Sequence, residues 1–131
     1  MPNYLYRIND KNVTSLLTNP RGMVGRDLRK RARLVERQAK VLVGVDSGAL
    51  KKSIHTSLAI DARGLYANIG SNLYYALAHH EGTRPHIIRS SSPGKLLRFP
   101  VRGRIVMVDS VRHPGTKPNP YLRLALPAAI L

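Results

Sequence analysis

This sequence predicts an α+β fold: a long amphipathic helix and a short C-terminal helix packed on an antiparallel sheet of about four strands. Three observations lead there. Apolar residues recur at helical spacing through residues 20–43. Two later stretches, 54–70 and 95–111, alternate in character around tight glycine-containing turns. A proline-rich run, His113 to Pro120, then delivers the chain to a last apolar segment.

Taken in order, Tyr4, Leu5, Tyr6 and Ile8 form an apolar run too irregular to type. Asn12 to Leu17 fits a short helix that stops at Asn19-Pro20. Val24, Leu28, Ala32, Val35, Ala39 and Leu42 then follow the rhythm of an amphipathic helix, with Pro20 tolerated in its first turn and Gly44 ending it. Asp46 to Ser53 reads as a capped turn or short helix feeding a strand, Ile54 to Ile60. Asp61-Ala62-Arg63-Gly64 turns the chain into a partner strand, Leu65 to Gly70. Tyr74 to His80 fits a short helix closed by Gly82. Lys95 to Val101 and Arg104 to Val111 are two further strands joined by Arg102-Gly103. The last helix, Tyr121 to Ile130, should bend near Pro127. A length of 131 residues allows one domain, 1–131, with extended arms expected at 83–94 and 113–120.

Charge is the outstanding compositional feature. Lys and Arg number 22 against 7 Asp and Glu, a formal charge of +15. Such an excess favours an anionic partner. With no cysteine, disulfide scaffolds, thiolate nucleophiles and cysteine-ligated zinc drop out. No apolar run reaches membrane-spanning length, so no membrane partner is expected. The start, MPNYLYRIND, lacks the pattern of a secretion signal, and a soluble chain made in the cytoplasm is expected.

The cations fall in two blocks. One is the long helix, where Arg26, Arg29, Arg31, Arg33 and Arg37 spread over the polar arc as a broad basic face. The other, Arg84 to Lys117, includes Arg98, Arg102 and Arg104. Either could meet phosphates. A nucleic-acid binder acting on its own is the alternative reading; no helix-turn-helix, zinc finger or aromatic platform accompanies the charge. His79-His80-Glu81, with His86 and His113, invites a metal reading, but adjacent helical histidines point about 100° apart and no His-Glu-x-x-His is present. Ser47, Ser53 and Ser90 to Ser92 lack a nucleophile elbow, and Gly44-Val45-Asp46-Ser47-Gly48 lacks the Lys-Ser/Thr ending of a phosphate loop. No enzyme activity, metal or cofactor is therefore expected.

Three ordered segments carry a resemblance. Val45-Asp46-Ser47-Gly48-Ala49-Leu50-Lys51-Lys52-Ser53-Ile54 resembles the V-D-T/S-G-x-L-(basic)-x-S-I entry to the sheet in a family of tailed-phage tail-component proteins. Tyr75-Ala76-Leu77-Ala78-His79-His80-Glu81-Gly82-Thr83 resembles its Y-A-x-x-x-E-x-G-T segment, although here glycine follows Glu81 directly. His113-Pro114-Gly115-Thr116-Lys117-Pro118-Asn119-Pro120-Tyr121-Leu122 resembles its P-G-T-x-x-x-P-F/Y-L lead into a final helix. The resemblance spans about residues 20 to 130. It implies a non-enzymatic structural protein of the head–tail connector, or neck, of a siphophage-like virion, with a neck, tail-completion or tail-terminator role. Its implied partners are further copies of itself in a ring, six-fold before twelve-fold, the head-closure and connector proteins, and the tail-tube or tail-terminator proteins. Non-specific contact with DNA in the channel is a further implication, as is assembly in the host cytoplasm. Asp46, Gly48, Leu50, Ser53, Tyr75, Glu81, Gly82, Thr83, Pro114, Gly115, Thr116, Pro120 and Tyr121 become the candidate motif residues. Each can maintain the fold or contact a neighbour: Asp46 and Ser47 as turn caps, Gly48 for its backbone freedom, Glu81 paired with an arginine, Thr83 fixing a turn. Leu122, Leu124, Ala125 and Leu126 join Tyr121 as expected core of the last helix.

Overall fold

Asn9 opens the first helix by accepting the Asn12 N–H on its side-chain oxygen at 3.2 Å. Helix α1, Asp10–Thr18, then runs until Asn19-Pro20 stops it, as the residue pattern requires. The computed structural model describes residues 6–130. The reading of Tyr4 and Leu5 lies outside the described residues.

Helix α2, Met23–Leu42, is the longest element. Gly25, Ala32, Val35 and Ala39 make its buried stripe, an i, i+7, i+10, i+14 series on one face. The sequence places Pro20 in the first turn, but the structure does not: Gly22 is the N-cap and the helix starts one residue later. Its C-cap is Val43, ahead of Gly44. A one-turn helix α3, Ala49–Ser53, follows from Gly48, whose φ of 79° is a left-handed conformation costly for any side chain.

Strands β1, His55–Asp61, and β2, Gly64–Gly70, pair antiparallel with Thr56 opposite Ile69 and Leu58 opposite Ala67. Helix α4, Ala76–Glu81, comes next. It leads to strand β3, His86–Arg89, within the segment expected to be an arm. Strands β4, Leu97–Val101, and β5, Arg104–Val108, form a hairpin in the expected place. Its turn uses Arg102 at φ 47° and Gly103 at φ 78°, the paired left-handed residues that match strand twist. The expected strand to Val111 breaks at Asp109, and β6, Ser110–His113, pairs with β3 instead. Helix α5, Tyr121–Ala125, gives way to a 3-10 turn at Leu126–Ala129 because Pro127 has no N–H to continue the α ladder.

The α+β class predicted from the sequence is thus the class of the structure, but the strands form three two-stranded sheets, β1-β2, β3-β6 and β4-β5, rather than one sheet of four. Nor are 83–94 and 113–120 free arms throughout: His86–Arg89 is paired, and Thr116 is bridged to Thr83.

The chain divides into two compact units. One holds the residues up to Ala76 together with those from Pro120 onward. Its core gathers Val35, Ala39, Val43, Leu50, Ile54, Ala76, Tyr121 and Ala125, with Leu42, Ile69, Leu73, Tyr75 and Leu122 packed around it. Within this unit the helix α5 returns to lie against α2. The other unit, Leu77–Asn119, has no buried residue among those described. Among the described residues no helix is long and apolar enough to cross a membrane.

Candidate functional site: two motif clusters and a basic helix

In the first unit, Leu50 and Ile54 of the first motif, Tyr75 and Ala76 of the second, and Tyr121 of the third converge on one core. Tyr121 and Ile54 are each 1 % exposed. Burial pushes the Tyr121 phenol above its usual range, because the phenolate would lose its hydration. Tyr75 stacks edge-on against Tyr74, ring centroids 5.3 Å apart.

Ser53 belongs to a directional hydrogen-bond chain. Its hydroxyl donates to the Leu50 carbonyl at 2.7 Å, so the Ser71 hydroxyl, 2.6 Å away, donates to Ser53. Ser71 in turn accepts the Leu73 N–H at 3.1 Å. The residues just before β1 are thereby tied to those just after β2. Ser47 accepts the Ala49 N–H at 3.4 Å, a long bond, whereas the exposed Asp46 side chain makes no hydrogen bond or ion pair among the described residues. The expected Asp46 cap is therefore absent; the geometry at α3 is carried by Gly48.

In the second unit, the ends of the second and third motifs close on each other across 33 positions of sequence. Thr83 and Thr116 exchange two backbone hydrogen bonds of 3.1 Å, their hydroxyls meet at 3.1 Å, and the Thr116 N–H also reaches the Thr83 hydroxyl at 3.0 Å. The flanking glycines permit this clasp. A Cβ on Gly82, φ 74°, would lie 2.6 Å from the Thr116 carbonyl oxygen. One on Gly115, φ 87°, would overlap the Thr83 carbonyl oxygen. Pro114 is exposed beside it, and Asn119 donates its N–H to the His79 carbonyl at 3.1 Å. Glu81, expected to meet an arginine, meets the ring of its neighbour His80 at 2.6 Å. Pro120 caps α5, its carbonyl accepting from Leu124 at 2.9 Å.

The last helix corrects one expectation. Tyr121 and Ala125 are buried and Leu122 packs on the core, but Leu124 and Leu126 are exposed. A helix of one and a half turns has only one face to bury.

His86 and His113 stand opposite each other across β3-β6 with rings 5.0 Å apart. His113 Nδ1 accepts the Gly115 N–H at 3.1 Å, while His86 Nδ1 sits 2.8 Å from the Arg84 carbonyl and donates to it. Both Nδ1 atoms are engaged by backbone. Among the described residues no group of three or more His, Cys, Asp or Glu could hold a metal ion.

Helix α2 carries the charge the sequence announced. Arg31 leaves the basic face: it pairs with Asp27 at 2.7 Å and donates to the Ala129 carbonyl at 3.0 Å. Arg26, Arg33 and Arg37 are exposed, Arg29 is half-buried, and among the described residues none of the four has a carboxylate within bonding distance. Arg98, Arg102 and Arg104 are exposed on the β4-β5 hairpin. Beside α2 lies an open cleft of about 790 Å3 between that helix and the β1-β2 hairpin, lined by Arg29, Arg33, Glu36, His55, Thr56 and Ile60 among others. No sequence signal announced it, because it depends on how the hairpin seats against the helix.

Glu36 is the carboxylate of that cleft, and it is fully used. Lys40 donates to one oxygen at 2.6 Å and Thr56 to the other at 2.7 Å. The Lys40 bond, then Thr56 and the nearby positive charge, hold its ionisation below the ordinary carboxylate range against the opposing effect of burial. A depressed folded-state value means the unfolded chain takes up the proton first as pH falls. The stabilisation is thus present at neutral pH and is lost on the acid side, below the ordinary carboxylate range. Glu36→Gln should lower the melting temperature at pH 7 and lose less between pH 7 and pH 3 than the parent. Parallel thermal melts at the two pH values check this; an equal acid-side loss in both proteins would remove Glu36 from the account.

Comparison with known protein families, with curated proteins and with solved structures finds no match to this chain.

Proposed function

We propose that this protein is a non-enzymatic structural subunit that works as a closed ring of its own copies, in the role of a head–tail connector or neck protein of a siphophage-like virion. The observation that carries the ring is the state of the second unit. It contains no buried residue, yet it holds Leu77, Ile87, Ile88, Leu96, Val101, Ile105 and Met107 well exposed. Two-stranded sheets are marginal in water unless something covers a face.

The β4-β5 hairpin shows how apolar and basic residues share the surface of this unit: Arg98 and Pro100 stand opposite Met107 and Ile105 on one face. The virion role, with head-closure and tail proteins as further partners, comes from the three resembling segments alone. A ring fits that role because a channel through the subunits would let DNA pass.

Ile105→Asp with Met107→Asp places two carboxylates on the exposed face without touching the half-buried Phe99, Val106 and Val108. The purified parent should run as a closed ring by mass photometry and negative-stain electron microscopy, and the double variant as a monomer with unchanged far-UV circular dichroism. A parent that stays monomeric at tens of micromolar, or a variant that still closes, rejects the ring. Absence of the chain from purified virions rejects the virion role separately.

A further inference from the structure

The unpaired cations of α2 are not spread evenly over its polar face. At 100° per residue, Arg26, Lys30, Arg33 and Arg37 fall within an arc of about 60°. All four are exposed, and they point away from the Ala32, Val35 and Ala39 stripe that anchors the helix. From Arg26 to Arg37 this ridge is about 16 Å long. Arg29 adds a fifth charge from its flank, at the rim of the cleft that Arg33 also lines. The carboxylates of the helix do not neutralise it: Asp27 is taken by Arg31, and Glu36 by Lys40.

We propose that this ridge is a binding surface for the phosphodiester backbone of duplex DNA, with Arg29 adding a separate phosphate contact at the rim of the cleft. Three features select that ligand. Between Met23 and Val41, at the two ends of the helix, no large apolar side chain is exposed. A lipid surface would need an apolar face to insert, and an acidic protein partner would need apolar or aromatic anchors at the centre of its contact. A polyphosphate needs only cations. No aromatic residue stands on α2, so bases have no stacking platform and a paired strand fits better than a single one. Finally, the helix is held by residues that are 0–3 % exposed, which keeps the charges in a fixed array. The cations of the second unit lack that order: Arg98 and Arg104 alternate with Ile105 and Met107 on a hairpin that has no buried residue.

The surface goes beyond the ring reading and stands without it, since the ridge lies wholly in the first unit. Five phosphate contacts predict that log K against log salt falls with a slope of about −4.5. Affinity for a 30-base-pair duplex of mixed sequence should then drop about 500-fold between 50 and 200 mM NaCl. The variant Arg26→Gln/Lys30→Gln/Arg33→Gln/Arg37→Gln should retain a slope near −1 and lose only about three- to four-fold over the same range. Arg33→Gln alone should reduce the slope by about 0.9. The comparison variant Arg98→Gln/Arg102→Gln/Arg104→Gln should bind as the parent does. Anisotropy titrations at four salt concentrations provide the slopes, and mass photometry on the same samples reports assembly independently. The proposal is overturned by a parent that does not bind duplex at 50 mM salt, by a ridge variant with the parental slope, or by a hairpin variant that loses the slope instead. It is equally overturned if vesicles containing anionic lipid bind the parent as tightly as the duplex. Loss of rings with the slope intact would reject the ring and leave the ridge standing.

Discussion

Gly115→Ala is expected to open the Thr83–Thr116 clasp while the first unit stays folded. Two costs add at this position. The φ of 87° is a conformation that costs a non-glycine residue about 1–3 kcal/mol. The new methyl would also overlap the Thr83 carbonyl oxygen, a backbone atom that cannot swing aside. Relief requires separating the two threonines, which gives up their reciprocal backbone bonds at about 1 kcal/mol each. The local loss is therefore about 3–5 kcal/mol. Gly94→Ala separates strain from collision: its φ is 76°, but nothing lies within 4 Å of the added carbon. It should cost only the conformational part. Amide hydrogen exchange provides the readout. Protection at Thr83 and Thr116 should vanish in Gly115→Ala and persist in Gly94→Ala, with the amides of α2 protected in both. Unchanged protection of Thr116 in Gly115→Ala would refute the clasp.

Tyr121→Ala should be the most damaging substitution in the first unit. The ring is among the three largest fully buried side chains, with Ile54 and Val43. Truncating a buried aromatic to alanine costs about 3–5 kcal/mol, from lost transfer energy and the cavity left behind. In a domain of this size that lowers the melting temperature by about 15–30 °C. The core is small enough that little else compensates: three of its buried members are alanines, at 39, 76 and 125, which bury little area each. Tyr121→Phe keeps the ring and should stay within about 1 kcal/mol of the parent. Above pH 10 the phenol contributes a second effect. Its ionisation is raised in the folded protein, so the unfolded chain releases the proton first and stability falls as the solution becomes alkaline. Tyr121→Phe removes that part of the alkaline loss. Thermal melts of the three proteins at pH 7 and pH 10.5 test both statements, and a Tyr121→Ala protein that melts within 5 °C of the parent would show that the ring is not a keystone of this core.

Local chemistry was legible in the residues. Asn19-Pro20 stops α1, the apolar rhythm from Val24 to Leu42 identifies α2, and Arg102-Gly103 marks the β4-β5 hairpin. Each rests on interactions spanning a few residues, where spacing and backbone preference suffice. Errors arose where a choice depended on distant chain. The strand expected to continue to Val111 splits at Asp109 because its far half has a different partner, His86–Arg89. Period-two alternation says that a segment is a strand but not what it pairs with. Likewise, Leu124 and Leu126 are as apolar as Leu122, and only the placement of α5 decides which of them is covered.

Composition and spacing alone made this a basic α+β chain, without cysteine chemistry and with a long cationic helix. Tertiary structure decided the rest. It divided the motif residues between a core around Tyr121 and a clasp between Thr83 and Thr116, and it took Arg31 out of the basic face by pairing it with Asp27 and Ala129. It also left one unit without any buried residue. The reason is physical. Helical period and turn chemistry are properties of neighbours along the chain, whereas burial and charge neutralisation are sums over whatever the fold brings within a few ångströms. A net charge of +15 can be counted in the sequence, but which five of those charges stand together and unpaired can only be seen once the helix is seated on its core.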